Sequence, residues 1–203
     1  MKKVYIVNIS PDYKSMFILM GYAITGIPKE ADLICFTGGA DVSPSLYGDK
    51  RHAYTHSDQD RDEEEIEQFY FALNNNIPMV GICRGAQFLN VMSGGRMYQH
   101  VSNHTRNHDI TDLQTGQTLQ VSSTHHQMMM PAPTGLLVAS SVLLGSREWY
   151  DGEIFKKDIS LEDIEVVYYK HTNALCFQPH PEFDGYSDMR EYFTELLSRF
   201  LGV

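Results

Sequence analysis

The sequence predicts an α/β fold built on a mostly parallel sheet. Short β-rich runs bounded by turn residues alternate with helical stretches, which is the order expected when crossover helices connect parallel strands. The strand-like runs at residues 32–37 and 77–82 each lead into a glycine-containing turn. An amphipathic helix is predicted over residues 62–75, because apolar side chains recur there at spacings of three and four.

The rest of the chain continues this alternation. Residues 3–8 form the first predicted strand, residues 86–92 a helix that stops at paired glycines, and residues 187–201 a closing helix with an apolar face. Further strands, several of them expected to pair antiparallel, are predicted at residues 96–99, 119–123, 136–140, 164–169 and 174–178. Because no repeat or linker interrupts the pattern, we expect one domain over residues 1–203.

The composition is that of a soluble globular protein. Apolar residues make up 42% of the 203 residues and charged residues 21%, and no window approaches the roughly 18 uninterrupted apolar residues of a membrane span. The first residues alternate like a strand and carry no export signal. Three cysteines are an odd number, which does not fit a framework of disulfide pairs. The sequence therefore predicts a reducing, cytoplasmic location.

The charge excludes a general binder of nucleic acid. The formal net charge is −10 and only 16 lysines and arginines are present, whereas phosphate-backbone binders depend on clustered basic residues. Many carboxylates fall within residues 58–67, just ahead of the apolar helical pattern. We interpret them as the solvated N-terminus of that helix, where the helix dipole favours negative charge. We expect neither nucleic acid nor a membrane as a partner.

Residues 81–85, Gly-Ile-Cys-Arg-Gly, place a cysteine between two glycines at a strand-to-helix junction. A nucleophile on such a turn is exposed, and glycines on both sides avoid collisions with the strand and the helix. The helix N-terminus also favours the thiolate form. The pentapeptide alone fits a buried cysteine in a glycine-rich turn equally well, so Cys83 is a candidate nucleophile that needs a base.

That base and its carboxylate occur together at residues 180–182, His-Pro-Glu, directly after a predicted strand. A thiolate needs a histidine to shuttle protons and a carboxylate to orient that histidine. Prolines on both sides of His180 restrict the backbone that carries it. With an elbow cysteine elsewhere in the chain, this pattern favours catalysis over a histidine that only fills the core or the surface.

Four motifs in order carry a family resemblance. They are Phe-Thr-Gly-Gly-Ala-Asp-Val at 36–42, Gly-Ile-Cys-Arg-Gly-Ala-Gln at 81–87, Ser-Thr-His-His-Gln at 123–127 and His-Pro-Glu at 180–182. Together they resemble class I glutamine amidotransferases, especially the peptidase C26-like branch of γ-glutamyl hydrolases that act on γ-glutamyl amines such as γ-glutamyl-γ-aminobutyrate. The resemblance covers residues 32–183. It implies a three-layer, flavodoxin-like sheet with helices on both faces and an antiparallel extension.

The resemblance also implies roles for individual residues. Cys83 would attack the γ-carbonyl carbon to form a γ-glutamyl thioester, His180 would protonate the leaving ammonia or amine and then activate water, and Glu182 would orient the imidazole. Backbone N–H groups of Gly39 and Arg84 would form the oxyanion hole.

Four further positions match the part of the family's pocket that holds the substrate. They are Gly38, Gln87, His125 and His126. Packing and loop scaffolding are the alternative roles for these residues. The resemblance implies neither a metal nor a cofactor.

Three histidines recur every four residues at His100, His104 and His108, a spacing that can place metal ligands on a helix. The residues between them are poor helix formers, and the sequence shows no cysteine or carboxylate that completes a site. We therefore expect no metal here and interpret the stretch as a loop with polar histidines over the mouth of the active site.

Three functions remain open at the level of the sequence. The first is an autonomous hydrolase with glutamine or a γ-glutamyl compound as its small-molecule substrate. The second is a glutaminase subunit that passes ammonia to a separate synthetase partner. The third, which the presence of the complete triad disfavours, is a non-catalytic regulatory homologue.

Overall fold

The computed structural model describes residues 1–143 and 145–203 of the chain. The strands are β1 (Lys3–Val7), β2 (Ala23–Ile24), β3 (Leu33–Phe36), β4 (Met79–Ile82), β5 (Arg96–Tyr98), β6 (His100–Val101), β7 (His108–Asp112), β8 (Thr118–Val121), β9 (Met128–Met130), β10 (Leu136–Ser141), β11 (Gly145–Asp151), β12 (Ile154–Ser160), β13 (Asp163–Tyr169) and β14 (Ala174–Phe177). The helices are α1 (Pro11–Leu19), α2 (Gln59–Asn74), α3 (Arg84–Met92) and α4 (Ser187–Leu196), with short 3-10 turns at Pro28–Glu30 and Pro44–Tyr47 and a π-helical turn at Leu197–Leu201.

The central sheet has nine strands in the order β2-β1-β3-β4-β14-β13-β10-β7-β8. Strands β2, β1, β3, β4 and β14 pair in parallel, and from β14 onward every pairing to β8 is antiparallel. The predicted mostly parallel α/β sheet with an antiparallel extension is confirmed. Two small sheets, β12-β11-β6 and β5-β9, lie beside it.

Helices cover both faces of the parallel half of the sheet. On one face, Phe17 of α1 and Phe193 of α4 belong to one buried apolar cluster. On the other face, Phe69 of α2 and Phe88 of α3 belong to a second cluster. The strands between the two clusters are buried on both faces of the sheet, and for that reason their sequences are continuous apolar runs. Strand β3, Leu33–Phe36, is an example.

Helix α2 corrects one interpretation of the acidic segment. The helix begins after Asp58, whose side chain accepts a hydrogen bond from the Arg61 N–H at 3.2 Å, as an N-cap does. Two of the carboxylates interpreted as solvated, Asp62 and Glu65, are instead buried. They occur four and seven residues after the cap, on the face that packs on the protein, where buried arginines neutralise them.

The hairpin of β11 and β12 was not predicted. Its outer strand is exposed at every position from Ile154 to Ile159, with two lysines and an aspartate in the middle, so it shows little of the apolar alternation that marks a half-buried strand. Pairing with β11 over seven residues holds it in place. Among the residues that the model describes, no helix has the length and apolar character needed to cross a membrane.

Candidate active site

Cys83 lies at the junction of β4 and α3, in a strained backbone conformation. Its φ of 52° and ψ of −110° are rare for a residue with a side chain, and such strain concentrates at functional sites. The glycines on either side are required by close packing. A Cβ at Gly81 would collide with the backbone of Gly85, and a Cβ at Gly85 would collide with the backbone of Phe36. This is the geometry of a nucleophile turn, with the sulfur-bearing residue at the start of a helix.

His180 and Glu182 lie on the neighbouring strand end. Strand β14 runs parallel to β4, and the Cys83 N–H donates to the carbonyl of Phe177 at 3.0 Å, which aligns the two carboxyl ends. The Nδ1 atom of His180 lies 2.7 Å from Oε1 of Glu182. Burial disfavours the charged imidazolium, but hydrogen bonds to Cys83 and Glu182 outweigh it and raise the pKa of His180 to about 10.

Three residues that the sequence did not point to hold His180 in place. The Ser122 hydroxyl accepts a hydrogen bond from the backbone N–H of His180 and donates one to its carbonyl, both at 3.1 Å. The Phe183 ring stacks on the imidazole with a centroid separation of 4.6 Å and planes 4° apart. The Thr124 hydroxyl lies 2.9 Å from Nε2, the nitrogen that does not face Glu182. The imidazole is therefore fixed in position and in the direction of both nitrogens.

The loop after β3 runs beside the same cysteine. A Cβ built on Gly38 would lie 3.3 Å from Cε1 of His180 and 3.6 Å from Cβ of Cys83, so the loop backbone borders both groups. Gly39 has a φ of +148°, and a side chain there would collide with the guanidinium of Arg61. Only glycine satisfies both constraints.

Two arginines hold the backbone of this loop through hydrogen bonds to its carbonyl oxygens. Arg61 donates to the carbonyl of Thr37 at 2.9 Å, and Nε of Arg84 donates to the carbonyl of Ala40 at 3.1 Å, so the carbonyls on both sides of the two glycines are held. The guanidiniums are themselves neutralised by the buried carboxylates Asp62 and Glu65. Burial lowers the pKa of Arg84 to about 10, even though Asp62 raises it.

A cleft of about 380 Å³ opens over Cys83. Its lining includes, besides Cys83 and His180, the residues Gly39, Ala40, Asp41, His56, Arg84, Gln87, Thr124, His125, His126 and Gln127. The predicted substrate-binding residues thus lie at or beside one cleft, together with the predicted catalytic groups.

The predicted substrate-binding side chains differ in their partners and in their exposure to the cleft. The amide nitrogen of Gln87 donates to the carbonyl of Gln127 at 3.2 Å. His126 is partly exposed and its Nε2 lies 3.2 Å from Oδ1 of Asp41, a contact that raises the pKa of His126. His125 is buried, and its ring nitrogens face the Gln127 carbonyl and Glu165 instead of the cleft. Its ring nitrogens therefore contact groups inside the protein.

The three regularly spaced histidines do not share a helix. His100 lies on β6 and stacks on His52, with ring centroids 6.0 Å apart. His104 and His108 are buried together near Glu165 of β13. The premise that no carboxylate accompanies these histidines was wrong, because the fold brings in a strand from some sixty residues later in the chain.

Comparisons with known proteins agree with this architecture. The family model for peptidase C26 matches residues 22–148, more than half of the chain. The glutamine amidotransferase-like protein YvdE of Lactococcus lactis is 46% identical over 157 residues, which cover 74% of this chain and 66% of that protein. The carbamoyl phosphate synthase small chain of Helicobacter pylori is 27% identical over 143 residues, covering 68% of this chain and 34% of that protein. The chain thus spans less than two thirds of the curated relatives that it matches.

Two solved structures share the fold at low sequence identity. A glutamine amidotransferase from Thermotoga maritima superposes with a TM-score of 0.63 at 16% identity, over 98% of this chain and 84% of the other. A chain of PurLQS from Thermotoga maritima gives the same TM-score and identity, over 98% of both chains. At this identity the two structures show the fold alone, and the family is shown by the model that matches residues 22–148. The chain belongs to the peptidase C26 family, within the class I glutamine amidotransferase-like superfamily.

Proposed function

We propose that residues 1–203 form a single catalytic domain that hydrolyses the γ-amide of glutamine or of a γ-glutamyl amine through a thioester on Cys83. The observation that carries this proposal is that the strained Cys83 and His180 line one cleft, with Nδ1 of His180 held 2.7 Å from Oε1 of Glu182. Membership of the peptidase C26 family supports amide hydrolysis as the class of reaction.

In the first step, Sγ of Cys83 attacks the γ-carbonyl carbon, and the carbonyl electrons move to the oxygen. Backbone N–H groups of Gly39 and Arg84 stabilise that oxyanion, a device that contributes about 3–4 kcal/mol for each donor. Arg84 suits this role because it is the first residue of α3, where helix N–H groups have no partner within the helix.

In the second step, the carbon–nitrogen bond breaks and His180 gives its proton to the departing ammonia or amine. The raised pKa of His180 means that this proton is present at neutral pH. Water then enters, His180 takes a proton from it, and the hydroxide attacks the thioester. The carbon–sulfur bond breaks, Cys83 leaves as a thiolate and glutamate is released. Glu182 remains a carboxylate throughout and stabilises the imidazolium.

The amino-acid end of the substrate carries an ammonium and a carboxylate. We propose that the pair of Asp41 and His126 on the wall of the cleft recognises this end, because it offers both signs of charge. Gln87 lines the same cleft and supplies a neutral polar group. Gly38 contributes through its backbone, which borders Cys83.

The test is release of ammonia and glutamate from glutamine, measured beside release of the amine from γ-glutamyl-γ-aminobutyrate. Cys83→Ala is the blank. Cys176→Ala is the matched control, because it removes another buried free thiol from the neighbouring strand β14, outside the cleft. We expect turnover by wild type and the control and none by Cys83→Ala. Turnover by Cys83→Ala at the wild-type rate would refute the assignment.

A second candidate is a glutaminase subunit that delivers ammonia to a separate synthetase. The similarity to a carbamoyl phosphate synthase small chain favours it. In this case iodoacetamide would alkylate Cys83 rapidly while the isolated chain turned over neither substrate. Failure of Cys83 to alkylate would instead favour a non-catalytic homologue. We assign the reaction to the cytoplasm, because the three cysteines are free and buried.

A further inference from the structure

A buried group of three imidazoles and one carboxylate lies behind the wall of the cleft. His104 precedes β7, His108 begins it, His125 follows β8, and Glu165 lies on β13. The side chains of His104 and Glu165 have no exposed surface, and that of His125 has 2%. The proposed reaction uses none of these ring nitrogens or carboxylate oxygens. We call this group the histidine cluster.

Among the described residues, three buried atoms of the histidine cluster find no hydrogen-bond partner. They are Nδ1 of His104, Nε2 of His125 and Oε2 of Glu165. One ligand atom from each of these residues lies within 4.8 Å of the other two. Buried polar atoms without partners are rare in folded proteins, and here they converge on one point.

Each of these two imidazoles has one nitrogen that faces this point and one that points away from it. The partner of the nitrogen that points away determines whether the other nitrogen carries a hydrogen or a lone pair. Nδ1 of His125 lies 3.0 Å from the carbonyl oxygen of Gln127, which can only accept, so that nitrogen carries the hydrogen. In the neutral ring the lone pair is then on Nε2, which lies 3.7 Å from Oε2 of Glu165. A lone pair and a carboxylate oxygen therefore face each other.

His104 repeats the arrangement. Its Nε2 lies 2.8 Å from Oδ2 of Asp163, so in the neutral ring the lone pair is on Nδ1. That nitrogen lies 3.4 Å from Oε1 of Glu165. With both rings neutral, two buried lone pairs and an anion meet at this point, which is costly unless a cation lies between them.

The surroundings are those that a bound metal ion requires. Metal-ligating histidines donate their second N–H to a carboxylate or a carbonyl, as His104 does to Asp163 and His125 to Gln127. The carboxylate of Glu165 is oriented as well, because Nε2 of His108 lies 2.9 Å from its Oε1. The Ser141 hydroxyl donates to the same oxygen at 3.2 Å.

We propose that His104, His125 and Glu165 bind a divalent transition-metal ion, with Zn²⁺ as the best match. Two imidazole nitrogens and a carboxylate are a ligand set that zinc uses. Tetrahedral zinc with bonds of about 2.0–2.2 Å separates neighbouring ligand atoms by roughly 3.3–3.6 Å. Nδ1 of His104 lies 3.4 Å from Oε1 of Glu165 and Nε2 of His125 lies 3.7 Å from Oε2, so each oxygen of the carboxylate is near this spacing from one imidazole. The ion joins residues before β7, after β8 and within β13.

The role of this ion is to position the cleft wall. His125 is adjacent to Thr124, whose hydroxyl contacts His180. The Ser123 hydroxyl also donates to the backbone carbonyl of His104. Fixing His125 to Glu165 therefore fixes the segment that faces the imidazole, without any contact between the metal and the substrate.

The test measures metal binding by the full chain, independently of activity. The chelator-treated protein is equilibrated with Zn²⁺, dialysed against metal-free buffer and analysed by elemental mass spectrometry. We expect about one zinc per chain, together with a higher melting temperature than the chelator-treated protein. Replacement by Co²⁺ should give the strong visible bands of low-coordinate cobalt. Folded wild-type protein that retains no zinc overturns the proposal, and a proton on His104 then fills the place of the cation.

Variants locate the ion. His104→Gln and Glu165→Gln should lose the retained zinc and the cobalt bands. His100→Gln, which removes a histidine of β6 outside the cluster, should keep both. If His100→Gln loses the zinc while His104→Gln and Glu165→Gln keep it, the ion lies elsewhere and the assignment is overturned. If a cluster variant fails to fold, the zinc content and metal-dependent melting temperature of wild type decide the question.

Discussion

The hydroxyl oxygen of Tyr13 accepts a hydrogen bond from the backbone N–H of Gly38 at 2.9 Å. Burial, followed by the negative charge of Glu182, raises the pKa of Tyr13 well above its ordinary value. A neutral phenol on α1 thus forms a bridge to the loop after β3, near the carboxylate that faces His180. Since the Gly38 N–H is engaged, we assign the oxyanion contact in this loop to Gly39.

Replacing Tyr13 by phenylalanine should lower kcat/KM about tenfold, or about 1.4 kcal/mol, because the Gly38 N–H loses its partner and the loop beside Cys83 loses its tie to α1. The measurement is steady-state kinetics on the preferred γ-glutamyl substrate. Tyr70→Phe, at an exposed position on α2, is the matched control and should leave kcat/KM unchanged. Equal values for Tyr13→Phe and wild type would show that the bridge has no role in catalysis.

Glu182→Gln should move the alkaline limb of the pH–rate profile to lower pH. His180 loses its proton as the pH rises through about 10, and the hydrogen bond and charge of Glu182 are among the causes that raise that pKa. Removing the charge lowers the pKa, so the imidazolium that protonates the leaving group disappears at a lower pH. The measurement is kcat/KM from neutral pH to above pH 10. A profile that keeps its alkaline limb would separate Glu182 from the proton transfer.

Gly39→Ala should reduce kcat/KM by roughly 100-fold, the effect of losing one oxyanion donor. An alanine at a φ of +148° is strained, and its Cβ would push against Arg61, so the loop must move away from Cys83. Gly26→Ala is the control, since no atom lies within 4 Å of a Cβ built there. Kinetics of the two variants, with circular dichroism to confirm folding, provide the comparison. Similar kinetics would argue against Gly39 as a donor.

Asp62→Ala should destabilise the fold by about 3–5 kcal/mol, because it removes one partner of a buried ion pair with Arg84. Glu63→Ala removes the next carboxylate on the same helix, which is exposed, and should change the free energy of unfolding by less than about 0.5 kcal/mol. Urea denaturation of both variants measures the difference. Equal stabilities would mean that Glu65, the other carboxylate paired with Arg84, neutralises the arginine without Asp62.

The sequence was sufficient to predict the groups of the site that lie within short motifs. Cys83 is flagged by its own flanking glycines, and His180 and Glu182 are two residues apart, so each signal is local. The neighbouring positions of β4 and β14 could not be read from the chain. They follow from strand order, since the carboxyl ends of adjacent parallel strands meet at one edge of the sheet.

Most residues that hold His180 could not be predicted from the sequence, because they contact a partner far along the chain. Thr124 contacts a histidine 56 residues later. No motif in the sequence marks Tyr13, and only the fold shows that its hydroxyl meets Gly38. Glu165 and Asp163 are two acidic residues in an otherwise apolar strand, and burial of a charge without a local partner is the signal that could have marked Glu165.

The cleft is bounded by two halves of the sheet with different construction. Gly39 and Cys83 follow parallel strands in the first half, whereas Thr124 and His126 follow β8 at the antiparallel edge. We infer that the residues around Cys83 and the wall at His126 can vary separately. Substitutions of His126 should change how the amino-acid end of the substrate is recognised while Cys83 and His180 keep their positions, so proteins built on this plan can change substrate recognition without rebuilding the turn that carries the cysteine.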